Sequence, residues 1–139
     1  MTTWASEELP SVELGDQRLN NRLQVLVETL ASCPEGSIPQ ACKGDPASLK
    51  AAYRFFDNDR VEASKILAGQ VASTCIRSEG HATILAIQDT TSLDFTQPPG
   101  THGLGYLEAD YLRGIKVHSV FGVSPEGVPL GILHQTHWV

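Results

Sequence analysis

Up to Gly80 the apolar residues of the chain recur at helical spacing. Asp16 follows Gly15 as an N-cap, and Leu19, Leu23, Leu26, Val27 and Leu30 then repeat at steps of three and four. That pattern predicts an amphipathic helix, ended by Pro34-Glu35-Gly36. Asp45-Pro46 begins another, because an acid followed by proline suits the free amides of a first helical turn. Leu49, Ala52, Tyr53 and Phe56 are its expected buried stripe, and Asp57-Asn58-Asp59 breaks it. A further helix is expected over Ala63 to Arg77, burying Ala63, Leu67, Val71 and Cys75. The stretch from Gly36 to Gly44 fits either a short helix or an ordered loop.

Beyond Gly80 the pattern changes to that of strands. Thr83–Gln88 reads as a short, partly β-branched strand of the kind buried inside a sheet, with Asp89 at its end. Lys116–Val123 is a second strand, Ser124-Pro125-Glu126-Gly127 a turn, and Val128–His134 an antiparallel return. Between the first two lies a polar loop from Thr96 to Gly114, holding Pro98-Pro99-Gly100 and Gly103-Leu104-Gly105. The expected fold is α+β: a helical bundle over residues 1–80, then a partial antiparallel sheet over 81–139. Three strands leave an open edge, so the sheet reads as cut short.

A length of 139 residues fits one domain, or a small domain plus part of another. The hydrophobic share of 41% sustains a core and excludes wholesale disorder. A net charge of −6 excludes a general coat of positive charge, so any DNA binding has to come from a local basic face. Cys33, Cys42 and Cys75 lack C-x-x-C spacing, and Met1-Thr2-Thr3-Trp4 has no export signal. They read as reduced, half-buried thiols of a cytoplasmic protein. No apolar run reaches the roughly 18 residues of a membrane span.

Several groups carry potential chemistry. At a strand end, Asp89 offers an oxygen ligand to a divalent cation, although an Asp there is more commonly a turn former. Arg18 and Arg22 are one helical turn apart, as are Lys50 and Arg54, each pair beside an apolar stripe. They are either solvated flanks paired with Asp16 or Asp57, or a guanidinium-rich face for DNA phosphates and base edges. His118, His134 and His137 have no acid or cysteine at zinc-site spacing and read as structural or exposed. Gly100 to Gly105 lacks the strand–turn–helix setting of a phosphate loop. Ser92 and Ser119 have no evident base. Cys75 sits at a packing position.

Taken in order, a series of short segments resembles the N-terminal part of bacterial cut-and-paste transposases of the insertion-sequence-four type, the group containing the Tn-five transposase. They are Leu14-Gly15-Asp16-Gln17-Arg18 with Arg22-Leu23, then Ser37-Ile38-Pro39-Gln40-Ala41-Cys42, then Ala51-Ala52-Tyr53-Arg54-Phe55-Phe56-Asp57-Asn58. Leu85-Ala86-Ile87-Gln88-Asp89-Thr90-Thr91-Ser92-Leu93 follows, then His118-Ser119, and Gly131-Ile132-Leu133-His134-Gln135 with Trp138.

The resemblance implies a helical domain that binds transposon-end double-stranded DNA, followed by an RNase H-like catalytic core. It also implies a DDE triad holding Mg²⁺ or Mn²⁺, and another transposase chain as a partner. Asp89 matches the first aspartate of the triad. Arg22 and Arg54 match positions used on end DNA, and Arg18 is a weaker match. No later residue takes the other two acidic roles, since Asp94 and Asp110 lie too near Asp89. A two-ion mechanism needs several carboxylates around ions about 3.5–4 Å apart. The expectation is therefore an end-binding transposase portion, located with the nucleoid and inactive alone. Two alternatives stand beside it: a non-catalytic occupant of transposon ends, and a helical protein-interaction module without DNA binding.

Overall fold

In the computed structural model, which describes residues 2–97 and 100–139, helices occupy the first half and strands the second. The helices are α1 (Trp4–Glu8), α2 (Gln17–Ala31), α3 (Ile38–Ala41), α4 (Pro46–Phe56) and α5 (Ala63–Ser78). The strands are β1 (Leu85–Asp94), β2 (Gly105–Tyr106), β3 (Arg113–Val123) and β4 (Pro129–Trp138). This is an α+β chain with a helical N-terminal part and an antiparallel sheet. It divides into two compact units, Met1–Ser73 and Thr74–Val139, the division falling within α5. Among the described residues no helix is long and apolar enough to cross a membrane.

The first unit is built on the leucine stripe of α2. Leu23 and Leu26 are buried with Leu9, Val12, Leu14, Cys42, Ala52 and Phe55, while Leu19, Val27 and Leu30 pack at the margin. Asn20 shares the buried face, and its Oδ1 accepts the backbone N–H of Leu14 at 3.0 Å. That bond satisfies a polar group whose burial is otherwise costly. Residues 36–44 resolve in favour of a short helix: α3, where Ser37 and Gln40 form a capping box. In α5, Gly69 lies so close to Val12 that an added Cβ would overlap that side chain.

Two expected stripes are corrected. On α4 the buried residues are Ala52 and Phe55; Tyr53 and Phe56 face outward at 51% and 54% exposure. Leu49 is only partly buried. Phe55 and Phe56 are adjacent, about 100° apart around the helix, so one orientation cannot bury both, and the core selects Phe55. On α5 the buried residues are Gly69, Ser73 and Thr74; Ala63 and Cys75 are exposed, and Leu67 and Val71 intermediate. Small residues on that side permit a close approach that the leucine-centred pattern concealed. Cys33, Cys42 and Cys75 are free, and they span the range from buried Cys42 to exposed Cys75 rather than all being half-buried.

The second unit is a four-stranded sheet in which β3 pairs with each of the others. The expected hairpin is present: Ser124 O accepts from Gly127 N at 2.9 Å, and β4 runs antiparallel to β3 with bulges. The expected first strand is corrected twice. It covers Leu85–Asp94, so Asp89 lies in its middle opposite Ser119, not at its end. The threonines that looked like a terminus continue the ladder, as β-branched residues readily do. Among the described residues β1 also pairs with β3 alone, and it is exposed along almost all its length, with Leu85 and Ile87 at 48% and 54%. The loop after it contains β2, whose Tyr106 pairs with Arg113. Pro98-Pro99 of that loop lies outside the described residues.

Alternation gives the sheet two unlike faces. One carries Leu85, Ile87, Asp89, Thr91 and Leu93 of β1 beside Ile115, Val117, Ser119 and Phe121 of β3. The other carries Gln88, Thr90 and Ser92 beside Lys116 and His118. There Ser92 Oγ donates to Glu108 Oε1 at 2.5 Å and Lys116 Nζ donates to the same oxygen at 3.0 Å. The hydroxyl first, then the ammonium, holds the Glu108 carboxyl down to about 2. These bonds tether the long loop to the strands.

Candidate nucleic-acid interface

Two capped helices assemble the site. Asp16 accepts the N–H of Arg18 at 2.9 Å and starts α2. Asp45 accepts the N–H groups of Ala47 and Ser48 at 3.4 and 2.9 Å, with Pro46 beginning α4. Each helix turns its apolar stripe into the common core, so the residues beside the stripes converge. Arg18 and Arg22 from α2, Lys50 and Arg54 from α4, and Arg60 from the following segment line one groove of about 640 Å³. Five of the chain's ten lysines and arginines are thus collected in one hollow of a protein with net charge −6. Among the described residues the single acid lining it is Asp16.

That acid is engaged. Arg18 donates through Nε to Asp16 Oδ1 at 3.3 Å and through Nη2 to Oδ2 at 3.2 Å. The Arg18 guanidinium, with its backbone N–H, lowers the Asp16 carboxyl below its ordinary value of 3.8, and Asp16 raises Arg18 in return. An exposed pair of this kind contributes little to stability. Its consequence is electrostatic, because it neutralises one of the five cations. Among the described residues the side chains of Arg22, Lys50 and Arg54 have no hydrogen bond or ion pair. A concave surface lined by uncompensated cations concentrates anions. Residues 1–61 match the transposase DNA-binding family. The match supports a transposase N-terminal domain with DNA as its partner, and all five groove cations fall within the matched segment.

Arg18, Arg22 and Arg54, singled out from the sequence, are brought together in the groove within this matched segment. Lys50, read beside Arg54 as either a solvated flank or part of a DNA-facing surface, joins them, and Arg60 was missed altogether. Arg60 follows the Asp57-Asn58-Asp59 break, where no period reaches it. The turn that returns it is held by Asn58 Oδ1, which accepts the N–H of Arg60 at 3.0 Å. An Asn two residues before an Arg is a turn signal, but it does not say where the turn leads.

Asp89, in the second unit, stands with different neighbours. Across the ladder it faces Ser119, whose Oγ accepts from Gln135 Nε2 at 3.0 Å. Asp94 accepts from Thr96 N at 2.8 Å and Thr96 Oγ1 at 2.6 Å, a local turn that draws its carboxyl below the ordinary value. Among the described residues no three His, Cys, Asp or Glu side chains are grouped to hold a metal ion. Asp89 therefore supplies one hard oxygen donor, and this donor set does not fit a two-ion clamp. His118 and His134 share a face but are offset in register, pairing with Thr136 and Val120. His118 is occupied locally: Nε2 donates to Gln88 Oε1 at 3.3 Å, which leaves Nδ1 to accept from Thr90 Oγ1 at 2.8 Å.

Proposed function

We propose that this chain is the end-binding portion of a cut-and-paste transposase of the insertion-sequence-four type. In this reading residues 1–80 form the helical domain that recognises transposon-end DNA, and Arg22 and Arg54 contact it directly. Arg18 contributes less, since Asp16 competes for its guanidinium. The observation that carries the reading is the collection of five cations in one groove of an acidic chain, inside the segment matched to transposase DNA-binding domains. Guanidinium groups suit this task because they fork onto phosphates and onto guanine edges in the major groove.

Residues 81–139 are, in the same reading, the first strands of an RNase H-like core with Asp89 as the first acid of a DDE triad. Support comes from the segment around Asp89 and from a sheet face that carries this carboxylate among half-exposed apolar residues. A second reading, occupancy of transposon ends without cleavage, draws on Asp89 having no grouped carboxylate partners among the described residues. The test is binding to a labelled transposon-end duplex against a scrambled duplex of equal length, with nicking followed in parallel in Mg²⁺ and Mn²⁺. Preferential binding without nicking supports end recognition by this chain. Equal affinity for both duplexes refutes specific recognition, and no binding to either at low salt refutes the DNA reading.

A further inference from the structure

The outward turn of Tyr53 and Phe56 leaves an aromatic surface that the cationic groove does not use. These two side chains, with Leu49, line a second hollow of about 750 Å³ on α4, and Lys50 and Arg54 line both hollows. Tyr53 and Phe56 are three residues apart and so lie on one side of the helix. Phe56 is braced: its ring meets that of Phe55 edge-on, with centroids 5.8 Å apart and planes at 81°. Since Phe55 is part of the core, the exposed ring is held by a fixed neighbour.

The occupant has to suit both the rings and the shared cations. An apolar peptide would cover Tyr53 and Phe56 but leave Lys50 and Arg54 without countercharge. A nucleic-acid strand brings phosphates and flat π faces together, and base–aromatic stacking tolerates any sequence. Bases inside a duplex have both faces covered by their neighbours, so the surface suits unpaired bases. Asp57, at the end of the hollow, repels phosphate and favours a backbone on the Lys50–Arg54 side. Resting on the DNA reading given above, we infer that Tyr53 and Phe56 form a stacking shelf for unpaired bases of a DNA strand whose phosphates lie along Lys50 and Arg54. The domain would then prefer a frayed or overhanging end to a closed duplex.

Fluorescence anisotropy with the full chain tests this, using a blunt duplex and the same duplex carrying a short oligothymidine overhang on either strand. The overhang should tighten binding by about 5-fold or more. Tyr53→Ala with Phe56→Ala should abolish that gain and leave blunt-duplex affinity unchanged. Tyr53→Leu keeps apolar bulk without a π face and should also reduce the gain. Circular dichroism confirms that the variants are folded, as is expected for exposed positions. An overhang with no effect, or a gain that survives in the double variant or fully in Tyr53→Leu, overturns the shelf. So does a folded double variant that loses blunt-duplex binding, or a surface that proves to be covered by a second copy, shown by a change in sedimentation. A wild-type chain that binds neither probe refutes the groove itself, whereas blunt binding without overhang preference refutes only the shelf.

Discussion

The groove makes a quantitative claim about salt. Binding of a cation to a duplex phosphate releases condensed counterions, and log K falls with log salt at about 0.9 per phosphate neutralised. Five cations line the groove, but Asp16 holds Arg18, so four are free to count. The expected slope is then about −3.6, which weakens binding roughly 150-fold between about 50 and 200 mM salt. Arg54→Ala or Arg22→Ala should bring the slope to about −2.7 and that loss to roughly 40-fold. Asp16→Asn moves the other way. Asparagine caps a helix about as well as aspartate, so α2 is preserved while Arg18 is released, and the slope should steepen towards about −4.5. Anisotropy titrations at four or five salt concentrations measure all four proteins. A wild-type slope near −1, or one unchanged by both arginine deletions, refutes the assignment of these cations to phosphates. A shallower slope for Asp16→Asn refutes the argument that the ion pair withholds Arg18.

Four further outcomes are expected. Leu23→Ala removes a buried side chain at the centre of the first unit's core and should cost about 2–5 kcal/mol in chemical denaturation, leaving an unfolded or weakened DNA-binding segment. Gly131→Ala should destabilise the second unit by roughly 1–3 kcal/mol, because Gly131 has φ +127° and an added Cβ would overlap Thr74 Oγ1 and come within 2.8 Å of Arg77 Nη2. Asp16 and Asp45 are both lowered from 3.8, by Arg18 and by Ser48, so their contribution is complete above that value and is lost as pH falls through the folded values. Helical circular dichroism should accordingly hold constant at neutral pH and decline on acidification, with Asp45→Asn flattening that decline. Finally, Asp89→Asn should leave duplex affinity unchanged, and neither form of the chain alone should nick a transposon-end duplex in Mg²⁺ or Mn²⁺; nicking by the unmodified chain defeats the single-donor argument.

The helical half was largely legible because its signals are local. Asp16 and Asp45-Pro46 cap the helices predicted from them, and the Leu23–Leu26 stripe enters the core, since caps and 3.6-residue periodicity act within a few residues of chain. The β3–β4 hairpin was equally readable from its proline-containing turn. Tertiary structure decided what local signals leave degenerate. Neighbouring Phe55 and Phe56 are interchangeable in a hydrophobic pattern, and only the shape of the core determines which ring is buried. The extent of β1 depended on its partner: Thr90 and Thr91 resemble a terminus until β3 supplies a ladder through Asp94. Arg60 joins the groove only through the path of the chain after α4. Sequence thus determined the helices and which of their residues flank the apolar stripes; packing of α2 against α4 determined that those flanks meet, turning scattered cations of an acidic chain into one concentrated positive surface.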